Sequence, residues 1–169
     1  MEKLGKSWEA ADDGRAADAA RPDRGTSARN ETPAQRSAIM RAVKSRDTRP
    51  ELVVRKLLWS IAPGYRLYRA DLPGKPDIVY GRRKLAIFVH GCFWHGHDCP
   101  MFKLPATRTE FWAQKIAGNR DRDRRALEAL AATGWRTMVI WECTLKGAKR
   151  LPVEDVTCKV IKWLESDPA

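Results

Sequence analysis

Leu85-Ala86-Ile87-Phe88-Val89-His90 runs directly into Gly91-Cys92-Phe93-Trp94-His95-Gly96-His97-Asp98-Cys99. The first half decides the fold. An apolar run from Leu85 to Val89 reads as a strand buried on both faces, the kind found inside a sheet with helices on each side. The second half decides where chemistry can sit, since with His90 just before it the stretch holds all three histidines of the chain and two of its four cysteines. Imidazole and thiolate ligate zinc, and the adjacent aromatics Phe93 and Trp94 lie between them on a loop expected to expose them.

Working outward, Asp77-Ile78-Val79-Tyr80 forms a second strand, joined to the first by Gly81-Arg82-Arg83. Tyr65 to Ala70 is strand-like, and Leu72-Pro73-Gly74-Lys75-Pro76 makes a turn before Asp77. Trp135 to Trp141 reads as another central strand. Four helices surround these. The first spans Arg36 to Arg46. Thr48-Arg49-Pro50-Glu51 opens the next, with Thr48 as N-cap, Glu51 at the capping-box position and proline in the first turn. Leu52, Leu57 and Leu58 are its expected core face, and Pro63-Gly64 its end. Thr107-Arg108-Thr109-Glu110 is a second capping box, starting a long helix to about Thr133 with Gly134 as its stop. Val153 to Leu164 is a final amphipathic helix. This order predicts an α/β three-layer sandwich around a central mixed sheet.

The chain has 169 residues and a net charge of +11, which suits one folded domain with a tail. Residues 1–33 carry six basic and seven acidic groups and few large apolar ones, so they are expected to be a disordered tail. Residues 34–169, the expected domain, hold 26 basic against 14 acidic groups. Such a surplus favours a polyanionic partner, most simply nucleic acid, although a merely soluble basic protein would share it. No apolar run approaches the ~20 residues of a membrane span, and no signal-like segment opens the chain. A cytoplasmic protein is expected, where four cysteines serve as metal ligands or buried thiols instead of disulfides.

Cys92, His97 and Cys99 from one loop, with Cys143 after the strand ending at Trp141, would supply the four N/S ligands of a closed, structural zinc site. His97 is preferred to His95 because Cys92-x4-His97-x-Cys99 leaves a loop wide enough to fold around the ion. Cys158, in the last helix, is expected to be an inert half-buried thiol. Asp77, a carboxylate at a strand start, could hold Mg²⁺ or be an ordinary turn aspartate. Asp123 shares a helical stripe with Ile116, Leu127 and Leu130, so it needs a partner. That partner is either an imidazole, whose tautomer it would fix, or one of the nearby arginines.

These motifs together resemble a known family. From Arg36 to Gly147, about two thirds of the chain, the sequence resembles the very short patch repair (Vsr) endonucleases, DNA mismatch nickases related to type II restriction enzymes. The matching strings are Met40-Arg41-Ala42, Arg46-Asp47-Thr48, Leu72 to Asp77, His90 to His95, Pro105 to Trp112, Arg122 to Arg125, Gly134-Trp135-Arg136 and Trp141-Glu142-Cys143. The resemblance implies a restriction-endonuclease-like fold and a Mg²⁺-dependent nick on the 5′ side of the thymine in a T·G mismatch left by deamination of 5-methylcytosine. It further implies Asp77 as the Mg²⁺ carboxylate, with the backbone carbonyl of Val89, where the family commonly has threonine, as a second ligand. His90 and His95 resemble active-site histidines, His95 being the base for water and Asp123 its orienting acid. Glu51 matches an acidic residue near the metal. Phe93 and Trp94 would be a wedge beside the mispair, opposed by Met40, while Lys115 and Asn119 would contact the mispair itself. Packing over the zinc site is the other reading of Phe93 and Trp94. The partners implied are double-stranded DNA with a T·G mismatch and mismatch-repair proteins, the chain acting as a monomer. Two other functions fit the residues, a catalytically silent zinc-stabilised DNA-binding protein and a zinc hydrolase using His90 and His95 as ligands.

Overall fold

A computed structural model describes Lys44, residues 46–148 and residues 150–166. The expected tail 1–33 and Met40 lie outside the described residues, as does most of the helix expected over Arg36 to Arg46. Lys44 and Arg46, which are described, are not helical.

The elements run α1 (Arg49–Ile61), β1 (Arg66–Leu67), β2 (Ile78–Tyr80), a 3₁₀ turn (Gly81–Arg83), β3 (Leu85–His90), α2 (Thr109–Ala132), β4 (Arg136–Trp141), α3 (Glu142–Leu145) and α4 (Val153–Glu165). The strands lie in the order β1-β2-β3-β4. β1 with β2 and β2 with β3 are antiparallel, whereas β3 and β4 are parallel, so the sheet is mixed as expected. Parallel pairing requires a crossover, and α2 provides it. β3 is interior, but β4 is an edge strand among the described residues, not the central one expected. Its residues are mostly half-buried because no further strand covers that side.

Alternation along β3 distributes its side chains to two cores. Leu85 and Ile87 join Ile78, Tyr80, Val54 and Leu58 of α1 and Val156 and Val160 of α4. Ala86 and Phe88 meet Leu130 of α2 on the opposite face. Helices therefore flank the sheet on both sides. At the end of β3 the same alternation packs the Val89 side chain against the first core and turns His90 toward the α2 side.

Thr48 caps α1, its hydroxyl accepting the Glu51 N–H at 3.4 Å. The buried face of this helix is Glu51, Val54, Leu57 and Leu58; Leu52 is half exposed, contrary to expectation. The stripe is rotated by about one residue because Glu51 itself faces inward. The second capping box is absent. α2 starts at Thr109 after Arg108 in a left-handed conformation (φ 55°), and the Thr109 hydroxyl donates back to the carbonyls of Pro105 and Ala106. At the other end Gly134, at φ 76°, stops α2 as expected: its N–H bonds Ala131 O and the Trp135 N–H bonds Leu130 O, the paired bonds of a Schellman motif.

Candidate active site and metal centre

The C-terminal end of β3, the loop after it and the C-terminal end of β4 carry two clusters side by side. In the first, one ligand atom each from Cys92, His97, Cys99 and Cys143 lies within 4.8 Å of all the others. His97 Nδ1 is 3.7 Å from Cys92 Sγ and 3.5 Å from Cys143 Sγ. Tetrahedral zinc with ordinary bond lengths would put sulfur and nitrogen ligands roughly 3.6 Å apart. The residues present therefore fit the ion in donor type, number and spacing. Burial pushes the Cys92 thiol up to about 12, so its thiolate would need a cation beside it. The His97 ring stacks on Trp141 with centroids 4.1 Å apart, fixing its plane. Cys158 stands apart from the cluster and is exposed, not half-buried as expected.

The second cluster is His90, His95 and Asp123. His95 Nδ1 lies 2.5 Å from Asp123 Oδ2, which decides the partner of that carboxylate. Three of the neighbouring arginines are engaged elsewhere: Arg124 pairs with Asp121 and Glu128, Arg125 with Asp121, and Arg122 bonds Asn119. With Nδ1 committed to Asp123, the assigned tautomer leaves the Nε2 lone pair of His95 to accept a proton. His90 stacks flat on His95, centroids 3.8 Å apart and planes 7° from parallel. Lone pairs of parallel rings run side by side instead of converging, which disfavours both as ligands of one ion. Burial, reinforced by His95, pushes His90 down to about 4, so it is neutral near pH 7.

Asp77 precedes β2 and reaches across to β3, where its Oδ2 accepts the Val89 N–H at 2.7 Å. Burial, with the Glu51 carboxylate adding to it, raises Asp77 to about 6 despite that bond. Glu51, only 3 % exposed, comes from the inward face of α1. Its Oε2 meets Asp47 N at 3.0 Å, an Arg55 guanidinium nitrogen at 2.9 Å and the Tyr68 hydroxyl at 2.8 Å. A buried and a partly buried carboxylate in one corner, the latter resisting ionisation, are a donor set suited to a divalent cation.

The Asp77 turn is pinned by close packing. Gly74, at φ 71°, lies where an added Cβ would meet Ala126 Cβ at 2.7 Å and Phe88 ring atoms at 3.2 and 3.3 Å. Gly74→Ala combines a left-handed strain with overpacking, and is expected to lose about 2–4 kcal/mol of stability. Denaturant unfolding checks this; a loss under about 0.5 kcal/mol would mean that the turn does not pack on α2 as described.

Phe93 and Trp94 are half-buried rather than exposed as expected. Their rings meet edge to face at 5.1 Å, and Phe93 packs in the same way on Trp112 at 5.3 Å. Lys115 places its Nζ near the faces of Trp94, Phe111 and Trp112, and Asn119 Nδ2 donates to the Trp94 carbonyl at 2.7 Å. The structure thus gathers Phe93, Trp94, Lys115 and Asn119 into one aromatic and basic patch. Sequence reasoning overlooked Trp112 as part of it, along with Trp141 under His97 and Arg55 and Tyr68 around Glu51. The aromatic run Phe111-Trp112 on the long helix, in register with Lys115, was the available signal for the first. Nothing in the linear pattern pointed to Tyr68.

Comparison with known proteins decides the family. A sequence model described as DNA mismatch endonuclease Vsr matches residues 29–101. The DNA mismatch endonuclease Vsr of Escherichia coli K12 is 46 % identical over 131 residues, covering 78 % of this chain and 84 % of that protein. The chain belongs to the Vsr family. Other relatives within reach are named as nicking enzymes. V.XorIIP of Xanthomonas oryzae pv. oryzae is 54 % identical over 114 residues, 68 % of this chain and 84 % of its own length. V.NmeAIP of Neisseria meningitidis is 41 % identical over 115 residues, 68 % of this chain and 82 % of its own. As a Vsr-family protein the chain is a DNA endonuclease, and its mixed sheet with flanking helices is the scaffold that carries both clusters. No helix among the described residues is long and apolar enough to cross a membrane.

Proposed function

We propose that the protein is a Mg²⁺-dependent mismatch nickase that cuts one strand of double-stranded DNA on the 5′ side of the thymine in a T·G mismatch, the lesion left by deamination of 5-methylcytosine. The observation that carries this reading is the His95–Asp123 pair set beside a raised, partly buried Asp77 at the end of the sheet. Asp77 next to β3 in a mixed sheet is also what supports a restriction-endonuclease-like framework.

Asp77 and the Val89 backbone carbonyl would hold Mg²⁺, with Glu51 nearby. Because the Val89 side chain packs into the core, only its backbone is offered to the site, and valine in place of threonine is compatible with that role. Bound Mg²⁺ would polarise the scissile phosphodiester and stabilise the leaving oxyanion. His95 Nε2 takes the proton of the attacking water, and Asp123 stabilises the imidazolium that forms. Neutral His90, stacked against His95, keeps that ring in plane without adding a second positive charge. Cys92, His97, Cys99 and Cys143 would fill all four ligand positions of a zinc ion, which would then serve to hold the loop.

The aromatic patch would meet the mispair. Phe93 and Trp94 are a wedge that enters where stacking is already weak, Lys115 and Asn119 contact the mispair, and Met40 approaches from the other side. The basic surplus supports affinity that falls steeply with salt, on a monomer in the cytoplasm that could meet other mismatch-repair proteins.

The reading is tested with a panel of T·G duplexes in different flanking sequences, against matched duplexes, with and without Mg²⁺. Nicking confined to T·G and to Mg²⁺ supports it; binding without nicking of any mismatch supports a silent DNA-binding protein instead. Asp123→Asn is expected to lower kcat by about 10²-fold with duplex affinity unchanged, since it leaves His95 in the wrong tautomer. Wild-type kcat in that variant would remove His95 as the base.

A further inference from the structure

Tyr68 bridges the acidic corner, from the backbone of Asp77 to the carboxylate of Glu51. Its backbone N–H donates to the Asp77 carbonyl at 3.2 Å, and its hydroxyl lies 2.8 Å from Glu51 Oε2. It does so from φ 51°, a left-handed conformation that a bulky residue seldom adopts. Asp47, at φ 53°, is the second such residue in the same network, its N–H meeting both Glu51 Oε2 and the Tyr68 hydroxyl. Backbone strain of this kind persists only where surrounding contacts over-determine it, and it gathers at functional sites.

The network also treats the two oxygens of Glu51 unequally. Oε2 is met by Asp47 N, Arg55 and the Tyr68 hydroxyl, whereas Oε1 meets the Thr48 hydroxyl at 2.8 Å. One oxygen is saturated and the other is held in a fixed direction with capacity to spare. As a stability device the arrangement is poor, since a buried ionic cluster gains little over apolar packing. Val54, Leu57 and Leu58 show that apolar groups pack on this face of α1.

We propose that Tyr68 is a positioning residue that sets the spacing and orientation of Glu51 relative to Asp77, and through them the affinity of the site for a divalent cation. This rests on the reading of Asp77 as a metal ligand. Tyr68→Phe is the test, because it keeps the ring between Arg46 and Arg55, each 4.9 Å from its centroid, and removes only the hydroxyl. Mn²⁺ binding to the DNA-free protein is read by electron paramagnetic resonance, beside the Mg²⁺ dependence of nicking and a thermal melt. Mn²⁺ affinity should fall about fivefold and the half-saturating Mg²⁺ should rise by about the same factor. The value of kcat at saturating Mg²⁺ should stay within about threefold of wild type. Unchanged Mn²⁺ affinity, or a lower melting temperature with unchanged Mg²⁺ half-saturation, would overturn the inference. If Tyr68→Phe fails to fold, Arg55→Lys, which keeps the charge and loses the fork on Glu51 and Tyr68, carries the same expectations and the same overturning result. Asp77→Asn separates the two layers: loss of Mn²⁺ binding there with Tyr68→Phe unaltered rejects Tyr68 alone, and intact Mn²⁺ binding in Asp77→Asn rejects the metal reading beneath it.

Discussion

Asp77→Ala should abolish nicking, by about 10³-fold or more, while T·G duplex binding measured without metal stays within about threefold of wild type. The large effect follows from position. Asp77 is the carboxylate that crosses from the start of β2 to the Val89 N–H, and the other acids of this network are already engaged, Glu51 Oε2 by Tyr68 and Asp47 Oδ1 by Arg55. Binding survives because the proposed wedge sits on a different loop, tied to α2 through Asn119. A loss under about tenfold would move the metal elsewhere, and loss of binding together with nicking would make Asp77 a folding residue.

The same carboxylate fixes a pH dependence. Burial raises Asp77 to about 6 in the folded chain from an ordinary 3.8, so protons compete with the cation below that value. Nicking at subsaturating Mg²⁺ should therefore rise with pH through about 6, and its midpoint should move to lower pH as Mg²⁺ is increased. For the metal-free protein the linkage has a definite sign. The stabilising contribution of protonated Asp77 is complete below about 3.8 and is lost as pH rises through about 6. A midpoint that does not move with Mg²⁺ would assign the titration to another group.

The second large effect is expected at the cysteines. Cys99→Ser should lose its stoichiometric zinc and melt at least about 10 °C below wild type, since structural zinc contributes directly to folding. Cys158→Ser, altering an exposed thiol away from the cluster, should keep one zinc per chain and the wild-type melting temperature. Metal analysis of the folded fraction decides between them even where Cys99→Ser expresses poorly. Retained zinc in Cys99→Ser, or lost zinc in Cys158→Ser, would redraw the ligand set.

Periodicity made much of this legible. The interior strand Leu85–His90 was written in its unbroken apolar run, and the candidate metal cluster in its spacing of cysteine and histidine. Asp123 stood out because a charge on a core stripe needs a partner; the sequence could not choose between imidazole and arginine, and packing chose His95. Failures came where tertiary contacts override local signals. Leu52 reads as core by hydrophobicity, yet α1 turns to bury Glu51, an inward carboxylate made tolerable by local donors from Asp47 and Arg55 and by the distant Tyr68 hydroxyl. Thr107 reads as a cap, yet Arg108 takes a left-handed conformation and the helix starts one residue later, at Thr109. The edge position of β4 depends on what lies beside it, which no single segment encodes.

The long helix α2 is a common reference for parts that come from distant stretches of chain. Gly74 presses its turn against Ala126, Asp123 grips His95, and Gly96 comes so close to Ile116 and Arg120 that a Cβ there would meet Ile116 at 2.6 Å. A rigid shift of the helix therefore carries the Asp77 turn, the proposed base and the proposed wedge loop with it. Errors in seating are then shared by these three segments instead of separating them from one another. Thermal rocking of this layer would move all three together relative to Glu51 on α1 and Val89 on β3.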